Sequence, residues 1–577
     1  MKEAKKSFDK VFERRIRTVL LFFLVACTAL LGRIFVMQIV RHDQYVDLAI
    51  KQHGLTKELS SERGVIFSVE KNGDEVPLAF NKTYKVLVAS PKEIEHPEET
   101  ASLLASAFSL DQADALARLS KTGDPYEIIA RKVEPKAAEE FLQRGIKGVS
   151  FEDEMRRVYP NGMMAAHLLG FVSGAQGEEA GQYGIERSYE RDLSGATGLL
   201  SGMKDASGLL LALGRRVIHP PKNGSSVTLT IDYPIQRKAE DVLAAAVEKW
   251  GASSGLVIVL EPKTGRILAE ASRPVFDPNA FSAEKDFSVF LNPAAEFSYE
   301  FGSVMKPITM AAAIEEKKVT PDSTYHDTGE AHIGSFTIRN FDGNAYDTQT
   351  MTQVLEKSLN TGLVHVARLL GKAKQEEYLR RFGFGVKTGI DLPGEVAGDL
   401  SNLQHGRDSD FATASFGQGI AVTPIQLAMA TAAIANKGVL MRPYVVEKIR
   451  DDSGNETVRS PETIRQVISP ETAETLTKML VSVVKNGYED RAGVKGYLVA
   501  GKTGTAEIPR KDGRGYLKDA ATHTFVGFAP AFDPRFLILL QLNEPRGNRF
   551  AANTLTPVFH DLAEFILHYY EVPPDEK

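Results

Sequence analysis

The sequence has 577 residues, of which 43% are hydrophobic and 25% charged, with a formal net charge of −6. A chain of this length exceeds a single ordinary hydrophobic core, so we expect two to four domains. The acidic balance argues against a nucleic-acid-binding protein. The single cysteine, Cys27, excludes an internal disulfide and a cysteine-rich metal site.

The N-terminus predicts a membrane anchor. Residues 1–17 carry seven Lys or Arg, and residues 18–40, TVLLFFLVACTALLGRIFVMQIV, contain one charge, Arg33. A membrane span needs about 20 apolar residues, and a basic flank keeps the preceding end in the cytoplasm. We therefore predict a cytoplasmic tail, a single-pass anchor and an extracytoplasmic remainder. The alternatives are a cleaved signal peptide, for which the apolar run is long, and a lipoprotein cleaved in LVAC at 24–27, past which the apolar sequence continues.

Between the anchor and residue 220 the chain alternates strand and helix patterns. Residues 41–55 predict a helix, and SSERGVIFSVEKNGDEVPLAF predicts a hairpin around Asn-Gly. Residues 97–145 contain two or three helical patterns. The acidic residues at 152–154 are expected in a solvated polar turn, and the Pro- and Gly-containing stretch at 215–226 is expected to be a linker.

From residue 221 the pattern predicts one sheet assembled from distant segments. LVIVLEPKTGRILAEAS is typical of a hairpin that opens an antiparallel sheet. Strand patterns return in GYLVAGKTGTAEI, HTFVGFAPA and RFLILLQLNEP. Strands at both ends with helices between them indicate an α+β unit. Helices are predicted at 303–317, 351–371, 374–381, 424–437 and about 556–570.

A serine and a lysine form the first candidate reactive pair. In YEFGSVMKPITMAAAIEE, Ser303 precedes an apolar helical pattern and Lys306 follows three residues later on the same helix face. A nucleophilic hydroxyl needs a group that takes its proton, and lysine does so only when burial or a second cation keeps it neutral. The helix N-terminus would aim N–H groups at a developing oxyanion. Taken alone, the pattern favours a plain N-cap serine and a solvated lysine.

Ser358 and Asn360 form the second candidate, in EKSLNTGLVHVARLLG. On a loop they would direct a hydroxyl and an amide into one cleft. The hydroxyl would relay a proton to a leaving amine, and the amide would hold a substrate carbonyl. Taken alone, a helix N-cap is the simpler explanation.

Lys-Thr-Gly occurs three times, at 263–265, 387–389 and 502–504. The first copy lies on a predicted hairpin turn, and the second lies in a loop with a Pro-Gly turn. Only the third ends an apolar strand pattern and is followed by small residues, which let a substrate backbone pair with a strand edge. Lys502 would offer a cation to a substrate carboxylate or to the proton relay.

Together the three motifs are far more specific than any one of them. S-x-x-K, then S-x-N 55 residues later, then K-T-G-T-A 144 residues after that, resemble the motif set of penicillin-recognising serine enzymes. With ERGVIF, RRVYPNG, GIERSYERDLSGATG and FGFGVKTGIDLPGE, the chain resembles a class B penicillin-binding protein up to about residue 560. The form of the N-terminal motifs favours a septal or sporulation type.

The resemblance implies an α+β multidomain fold. After the tail at 1–17 and the anchor at 18–40, a non-catalytic pedestal domain of the dimerisation type would cover 41–220. A transpeptidase domain at 221–577 would place helices on both faces of an antiparallel sheet. No segment of the pedestal region resembles a glycosyltransferase, so the chain would cross-link glycan strands made by another enzyme.

The same resemblance implies D-Ala-D-Ala transpeptidation through a serine acyl-enzyme that β-lactams inhibit. Ser303 would be the nucleophile and Lys306 its base. Ser358 and Asn360 would form the second motif, and Lys502 would begin the third.

Substrate binding would fall to the remainder of the third motif, Thr503, Gly504 and Thr505. The hydroxyls of Thr503 and Thr505 would receive the carboxylate of a donor stem peptide or of a β-lactam. The backbone N–H groups of Ser303 and Thr505 would form the oxyanion hole. One departure is Phe301, where the family usually has proline two residues before the serine, so acylation rate or β-lactam affinity could differ.

The expected ligands are peptidoglycan stem peptides and β-lactams, with no metal and no organic cofactor. A glycan-polymerising enzyme of the same membrane and cell-division proteins are the expected partners. Hydrolysis of the acyl-enzyme, as in a DD-carboxypeptidase or a β-lactamase, is the alternative enzymatic interpretation. A non-catalytic division scaffold and a β-lactam-sensing receptor are the alternatives from other classes.

Overall fold

The computed structural model describes residues 2–41, 54–59, 61–174, 179–203, 217–487, 490–510 and 515–576. These residues form two compact units, one within 1–61 and 195–223, the other within 62–194 and 224–577. The helix predicted at 41–55 falls mostly on residues outside the described ranges. Its last two residues begin a strand, Gly54–Leu59, so the helix prediction is wrong there.

The first unit contains a long N-terminal helix and a small sheet. The helix Lys2–Phe35 continues as a π-helical turn, Val36–Val40. Its segment Arg15–Val40 is long and apolar enough to cross a membrane, and the predicted anchor at 18–40 lies within it. The antiparallel sheet has the strand order Gly54–Leu59, Gly198–Met203, Val217–His219. The predicted linker at 215–226 therefore contains a strand.

The second unit begins with a seven-stranded sheet that joins early and late parts of the sequence. Strand Ser226–Asp232 pairs in parallel with Ile66–Val69 and antiparallel with Val446–Arg450. Six strands follow the order Glu456–Val458, Val446–Arg450, Ser226–Asp232, Ile66–Val69, Glu75–Ala89, Glu127–Val133, and the seventh, Val149–Val158, pairs with Glu75–Ala89. The sheet thus continues across residue 220, where the sequence predicts a domain boundary.

Three helices and a small hydrophobic core lie at the end of this sheet that comes from the N-terminal part of the sequence. The helices Pro97–Phe108, Gln112–Leu119 and Pro135–Leu142 confirm the patterns predicted in 97–145. The prediction of a turn at 152–154 is wrong, because these residues lie within strand Val149–Val158, whereas Glu152 and Asp153 are exposed as predicted. Glu154 is only 4% exposed and binds Arg131 and Arg156, so it is a structural ion pair.

A five-stranded antiparallel sheet forms the centre of the second unit. Its order is Ile267–Arg273, Ser254–Leu260, Phe536–Asn543, Tyr516–Ala529, Ala500–Pro509. Side chains on a strand alternate between the two faces. Almost every residue of strands Ser254–Leu260 and Phe536–Asn543 is buried, as are residues 522–529 of the third inner strand, so helices cover both faces there. Helices Tyr233–Trp250 and Ala551–Tyr569 pack together on the sheet, while Pro424–Ala435 and Pro470–Ser482 form a second group.

The helical region carries the remaining elements. The predicted helix 351–371 is two helices, Met351–Glu356 and Asn360–Leu370, and the last helix begins at Ala551, before the predicted position. The other helices are Ala166–Leu169, Gly184–Ser188, Glu190–Ser194, Pro293–Glu296, Lys306–Glu315, Lys372–Arg381 and Asp408–Ala414. Short strands are Val172–Ser173, Ala180–Gly181, Thr324–Asp327, Glu330–Ile333, Phe336–Arg339, Asp347–Thr350, Val439–Met441 and Thr463–Gln466.

Candidate active site

Ser303 lies in a 3-10 turn that leads into a helix. The turn is Gly302–Met305, and the α-helix Lys306–Glu315 follows with Pro307 in its first turn. Proline is tolerated there because the first N–H groups of a helix have no intrahelical acceptor. Gly302 has a φ of 61°, which lets the chain turn sharply into the helix. The predicted position of Ser303 at a helix start is confirmed.

Lys306 is completely buried. Its Nζ donates to the carbonyl oxygen of Ser358, to the Ser358 hydroxyl at 3.1 Å and to the Asn360 side-chain oxygen at 2.9 Å. Burial, reinforced by the nearby Lys502 ammonium, lowers the pKa of Lys306 well below its usual value. This environment favours the neutral amine, the form that accepts a proton.

The second motif occupies a break between two helices. Ser358 has a φ of 55°, which ends helix Met351–Glu356 before the next helix starts at Asn360. The amide of Asn360 is fixed at both ends, since its oxygen accepts from Lys306 and its nitrogen donates to the Arg339 carbonyl at 3.0 Å. The break therefore directs the Ser358 hydroxyl and the Asn360 amide toward the same lysine.

The third motif lies on the edge strand of the central sheet. Strand Ala500–Pro509 pairs with Tyr516–Ala529 along one side and is the last strand in the sheet order. Lys502 is 1% exposed, and its Nζ donates to the Ser358 hydroxyl at 3.1 Å and to the Thr503 carbonyl at 3.1 Å. Lys502 begins this strand, whereas the sequence predicts that it ends one. The Ser358 hydroxyl thus lies between two buried lysines.

Gly504 is the point where the edge strand contacts the serine segment. A Cβ atom at this position would lie 2.5 Å from the Phe301 carbonyl oxygen and 3.2 Å from the Val304 nitrogen. Real Cβ atoms do not approach backbone this closely, so glycine is required for the strand to pack beside Ser303. Next along the strand, the Thr505 hydroxyl accepts a hydrogen bond from the Ala551 N–H at 3.2 Å.

Phe301, the departure from the family pattern, is a core residue. Its side chain is 1% exposed, and its ring lies 5.9 Å from that of Tyr299. The backbone at Phe301 has φ −99° and ψ −11°, and Gly302 donates to the Gly417 carbonyl at 3.1 Å. The aromatic side chain therefore fills part of the protein interior next to the turn that carries Ser303.

The other two Lys-Thr-Gly copies lie outside this cluster. Lys263 is exposed on the turn between two strands of the central sheet and forms an ion pair with Asp533. Lys387 is exposed in a loop, as predicted. In that loop Thr388 donates through its N–H and its hydroxyl to Glu395, and Gly389 donates to the same carboxylate at 3.0 Å.

Sequence reasoning missed a buried network behind the second motif. Asp327 is 1% exposed and accepts from the Thr361 hydroxyl at 2.7 Å, from the Asn340 side chain at 2.8 Å and from the Tyr346 N–H at 3.1 Å. This network fixes the start of the helix that carries Asn360. It has no sequence signal, because its members are ordinary polar residues separated by long stretches of chain.

The comparisons with known proteins identify two families along the chain. Residues 58–229 match the penicillin-binding protein dimerisation domain, and residues 255–564 match the penicillin binding protein transpeptidase domain. Stage V sporulation protein D of Bacillus subtilis is 33% identical over 567 residues, covering 97% of this chain and 86% of that protein. A probable peptidoglycan D,D-transpeptidase PenA of Neisseria meningitidis is 32% identical over 542 residues, 93% of this chain and 89% of that protein.

Solved structures with the same fold cover most of the chain. Penicillin Binding Protein 2X from Streptococcus thermophilus aligns with a TM-score of 0.76 at 24% identity, covering 90% of this chain and 81% of that one. Penicillin binding protein 3 from Mycobacterium tuberculosis, solved in complex with aztreonam, aligns with a TM-score of 0.69 at 27% identity, covering 90% and 98%. Among the described residues, no group of three His, Cys, Asp or Glu side chains is placed to hold a metal ion.

Proposed function

Because the chain belongs to the class B penicillin-binding proteins and is a peptidoglycan D,D-transpeptidase of the serine acyltransferase type, we propose that Ser303 is its nucleophile and Lys306 its base. The observation that carries these roles is the convergence of two buried lysines on one serine of the second motif. Lys306 and Lys502 both donate to the Ser358 hydroxyl at 3.1 Å. Two cations this close favour deprotonation of the more buried one.

The hydrogen bonds around Lys306 suit a base. An ammonium has three N–H donors, and Lys306 has three acceptors around it. The neutral amine keeps two N–H groups for the Ser358 carbonyl and the Asn360 oxygen, and its lone pair becomes available for the proton of Ser303. Deprotonation therefore leaves the amine held in position without an unpaired donor.

The reaction follows from these positions. The Ser303 oxygen attacks the carbonyl carbon of the penultimate D-alanine while its proton passes to Lys306. The N–H groups of Ser303 and Thr505 stabilise the oxyanion. Ser358 relays a proton to the nitrogen of the terminal D-alanine, which leaves. The amine of a neighbouring stem peptide then attacks the acyl-enzyme and releases Ser303.

Lys502, Thr503 and Thr505 would bind the donor. We assign the substrate carboxylate to the hydroxyls of Thr503 and Thr505 and the field of Lys502, and the substrate amide carbonyl to Asn360. The free side of edge strand Ala500–Pro509 would pair with the extended donor backbone. Gly504 contributes by allowing the close approach of that strand to the serine.

Hydrolysis uses the same acyl-enzyme, so a DD-carboxypeptidase or β-lactamase side activity is the second candidate. The hydrogen bonds that link Lys306, Ser358, Asn360 and Lys502 support a catalytic protein over a purely non-catalytic scaffold. Domain limits at 41–220 and 221–577 are part of the proposal; the matched families cover residues 58–229 and 255–564.

The predicted membrane anchor supports the proposed location of the protein in the cell. Arg15–Val40 would span the cell membrane, with the basic N-terminus in the cytoplasm and the catalytic domain outside. A glycan-polymerising membrane protein and division or sporulation proteins are the proposed partners. The similarity to a relative named for stage V of sporulation supports a septal or sporulation role.

The test is covalent labelling of the full-length protein in detergent with a fluorescent penicillin, beside Ser303→Ala. We expect a label on the parent that survives denaturation and is lost in Ser303→Ala. A label that persists in a folded Ser303→Ala variant would contradict the assignment of the nucleophile. Product analysis with a D-Ala-D-Ala peptide and an amine acceptor then separates transfer from hydrolysis.

A further inference from the structure

A charged cavity lies in the second unit, where strands of its two large sheets end. Its volume is about 240 Å³, smaller than the roughly 300–1,000 Å³ of sites that hold drug-sized ligands. Of its lining residues, Thr230 and Asp232 are buried, whereas Lys71 and Arg535 are exposed. The charged cavity therefore leads from the surface to the interior and has room for a small molecule. Its lining shares no residue with the candidate active site.

The lining carries equal numbers of acidic and basic side chains. The acids are Glu70, Asp232 and Glu261, and the bases are Lys71, Arg266 and Arg535. A purely anionic ligand would meet three carboxylates, and a purely cationic ligand would meet three cations. A ligand that carries one charge of each sign can pair with both sets. The lining therefore favours a zwitterion.

Two guanidinium groups of the lining are not fully paired within the described part of the chain. Arg266 donates to Glu447 at 3.1 Å through Nη2, but its buried Nε has no hydrogen-bond partner there. A buried donor without an acceptor costs free energy, so an acceptor on a ligand would be favourable. Among the same described residues Arg535 forms no salt bridge, and the nearby acid Asp533 pairs with Lys263 instead. Guanidinium groups bind carboxylates with paired hydrogen bonds, so these two suit a carboxylate ligand.

Two carboxylates of the lining repel each other. Asp232 is 3% exposed and accepts a hydrogen bond from the Tyr570 hydroxyl at 3.1 Å. Burial, reinforced by the neighbouring Glu70 carboxylate, raises the pKa of Asp232 to about 6. The ammonium of Lys71 binds Glu571 at 2.6 Å. An ammonium group on a ligand would relieve the repulsion between Asp232 and Glu70.

The C-terminal helix connects the charged cavity with the third motif. At the start of this helix the Ala551 N–H donates to the Thr505 hydroxyl at 3.2 Å, and directly after its end Tyr570 lines the cavity. The helix has 19 residues and is about 28 Å long. The charged cavity is therefore remote from the reacting groups, yet one rigid element contacts both places.

We propose that the charged cavity is a second ligand site, which binds a small zwitterionic amino acid. The ligand carboxylate would pair with Arg266 and Arg535, and the ligand ammonium would pair with Glu70 and Asp232. The reaction proposed above releases one molecule of this class, D-alanine, and we assign this product as the ligand. The choice of D-alanine rests on the proposed function, whereas the zwitterion class rests on the lining of the cavity.

The test measures D-alanine binding to the full-length protein in detergent after complete labelling with penicillin, which blocks Ser303. Ligand-observed saturation-transfer NMR gives the dissociation constant, for which we expect about 1 mM. N-acetyl-D-alanine lacks the ammonium and D-alaninamide lacks the carboxylate, so each should bind at least about tenfold more weakly. D-alanine should also bind more tightly than L-alanine, because a site for the product must exclude amino acids from other sources.

Arg535→Gln is the main variant, because this exposed arginine can be replaced without breaking a salt bridge among the described residues. We expect it to weaken D-alanine binding about tenfold, and Glu70→Gln to do the same from the opposite side of the ligand. The matched control is Arg237→Gln, which removes an exposed arginine paired with Asp241 outside the cavity. It should keep the parent affinity. Thermal unfolding of each variant checks that the fold is retained.

The outcomes separate the site, the ligand class and the proposed function. Unchanged affinity in both Arg535→Gln and Glu70→Gln would overturn the site. Tighter binding of inorganic phosphate than of D-alanine would overturn the zwitterion class, and equal binding of D-alanine and L-alanine would overturn the assignment of the reaction product. A folded parent that penicillin does not label would instead contradict the proposed function, and the same titration of the unlabelled protein would then test the charged cavity.

Discussion

Two Lys-Thr-Gly segments of this protein have the same three residues and different environments. The segment at 502–504 lies on the edge of the central sheet, with Lys502 1% exposed and bound to Ser358. The segment at 387–389 lies in a loop with Lys387 in solvent, and its threonine and glycine bind Glu395. The tripeptide at 387–389 therefore binds a carboxylate of its own chain. Only the burial and the neighbouring residues of the copy at 502–504 indicate a role in the reaction.

The physical difference lies in what the lysine contacts. In the segment at 502–504, Lys502 shares the Ser358 hydroxyl with a second buried lysine, Lys306, whose pKa is lowered by burial and by the charge of Lys502. In the loop segment the lysine is hydrated, and the backbone donors are already occupied by a carboxylate of the same chain. The two Lys-Thr-Gly segments therefore differ in whether the lysine is buried next to another titratable group, and not in their sequence.

The largest expected effect is the loss of acylation when Lys502, the buried lysine of the segment at 502–504, is replaced. Lys502→Ala should lower penicillin acylation of Ser303 by about a thousandfold, because it removes a charge from the proton relay. Lys387→Ala should leave acylation within about twofold. Labelling kinetics with both purified variants measure the contrast. Comparable losses in the two would refute the distinction between the segments.

The next largest effect on acylation is expected when the glycine of the segment at 502–504 is replaced, compared with the glycine at 387–389. Gly504→Ala places a Cβ 2.5 Å from the Phe301 carbonyl, so the serine must shift, and we expect acylation to fall about a hundredfold. Gly389→Ala instead strains a residue with φ of 77° and should lower stability by about 1 kcal/mol with little change in acylation. Acylation rate and unfolding midpoint together test this; a Gly504→Ala protein that acylates normally would exclude the close contact.

The pH dependence of acylation tests the protonation state of Lys306. Its pKa in the folded protein is well below the ordinary lysine value. Acylation should therefore be lost only as the pH falls through this lowered pKa and should be constant up to the ordinary value. Because the unfolded chain binds the proton more tightly, this group alone makes stability rise with pH between the two pKa values. A rate that rises only near pH 10 would contradict the lowered pKa.

A smaller effect is expected at the internal carboxylate of the loop segment. Glu395 is 7% exposed and accepts three hydrogen bonds. Glu395→Gln should lower the free energy of unfolding by about 1–2 kcal/mol and leave acylation unchanged. Denaturant unfolding and penicillin labelling give the two values, and a large loss of labelling would imply a role for this loop in the site.

The smallest effect on stability and acylation is expected at the remaining Lys-Thr-Gly copy, residues 263–265. Lys263 is exposed and pairs with Asp533, and exposed ion pairs contribute about 0–1 kcal/mol. Lys263→Ala should therefore be close to the parent in both stability and acylation. The same two assays measure it, and a loss comparable to that of Lys502→Ala would show that the tripeptide itself carries the effect.

Much of the site was predictable because the motif spacing encodes it. Lys306, Ser358, Asn360 and Lys502 meet in one hydrogen-bonded cluster, as the sequence predicts, and Ser303 lies in the turn directly before Lys306. The break at Ser358 was not predictable from helical periodicity, since a left-handed residue in an apolar helical pattern leaves no mark on it. The Asp327 network depends on contacts between distant segments, which a pattern along one chain does not contain.

The seven-stranded sheet has a consequence for how this protein can be divided. The predicted boundary at residue 220 assigns strand Ser226–Asp232 to the catalytic half, yet one of its two neighbours, Ile66–Val69, comes from the other half. A fragment that starts at residue 221 would present that strand with an open edge, a template for pairing between copies. We expect such a fragment to aggregate, and co-expression with residues 62–194 to restore it. The two halves are thus modules in the sequence and one folding unit in space.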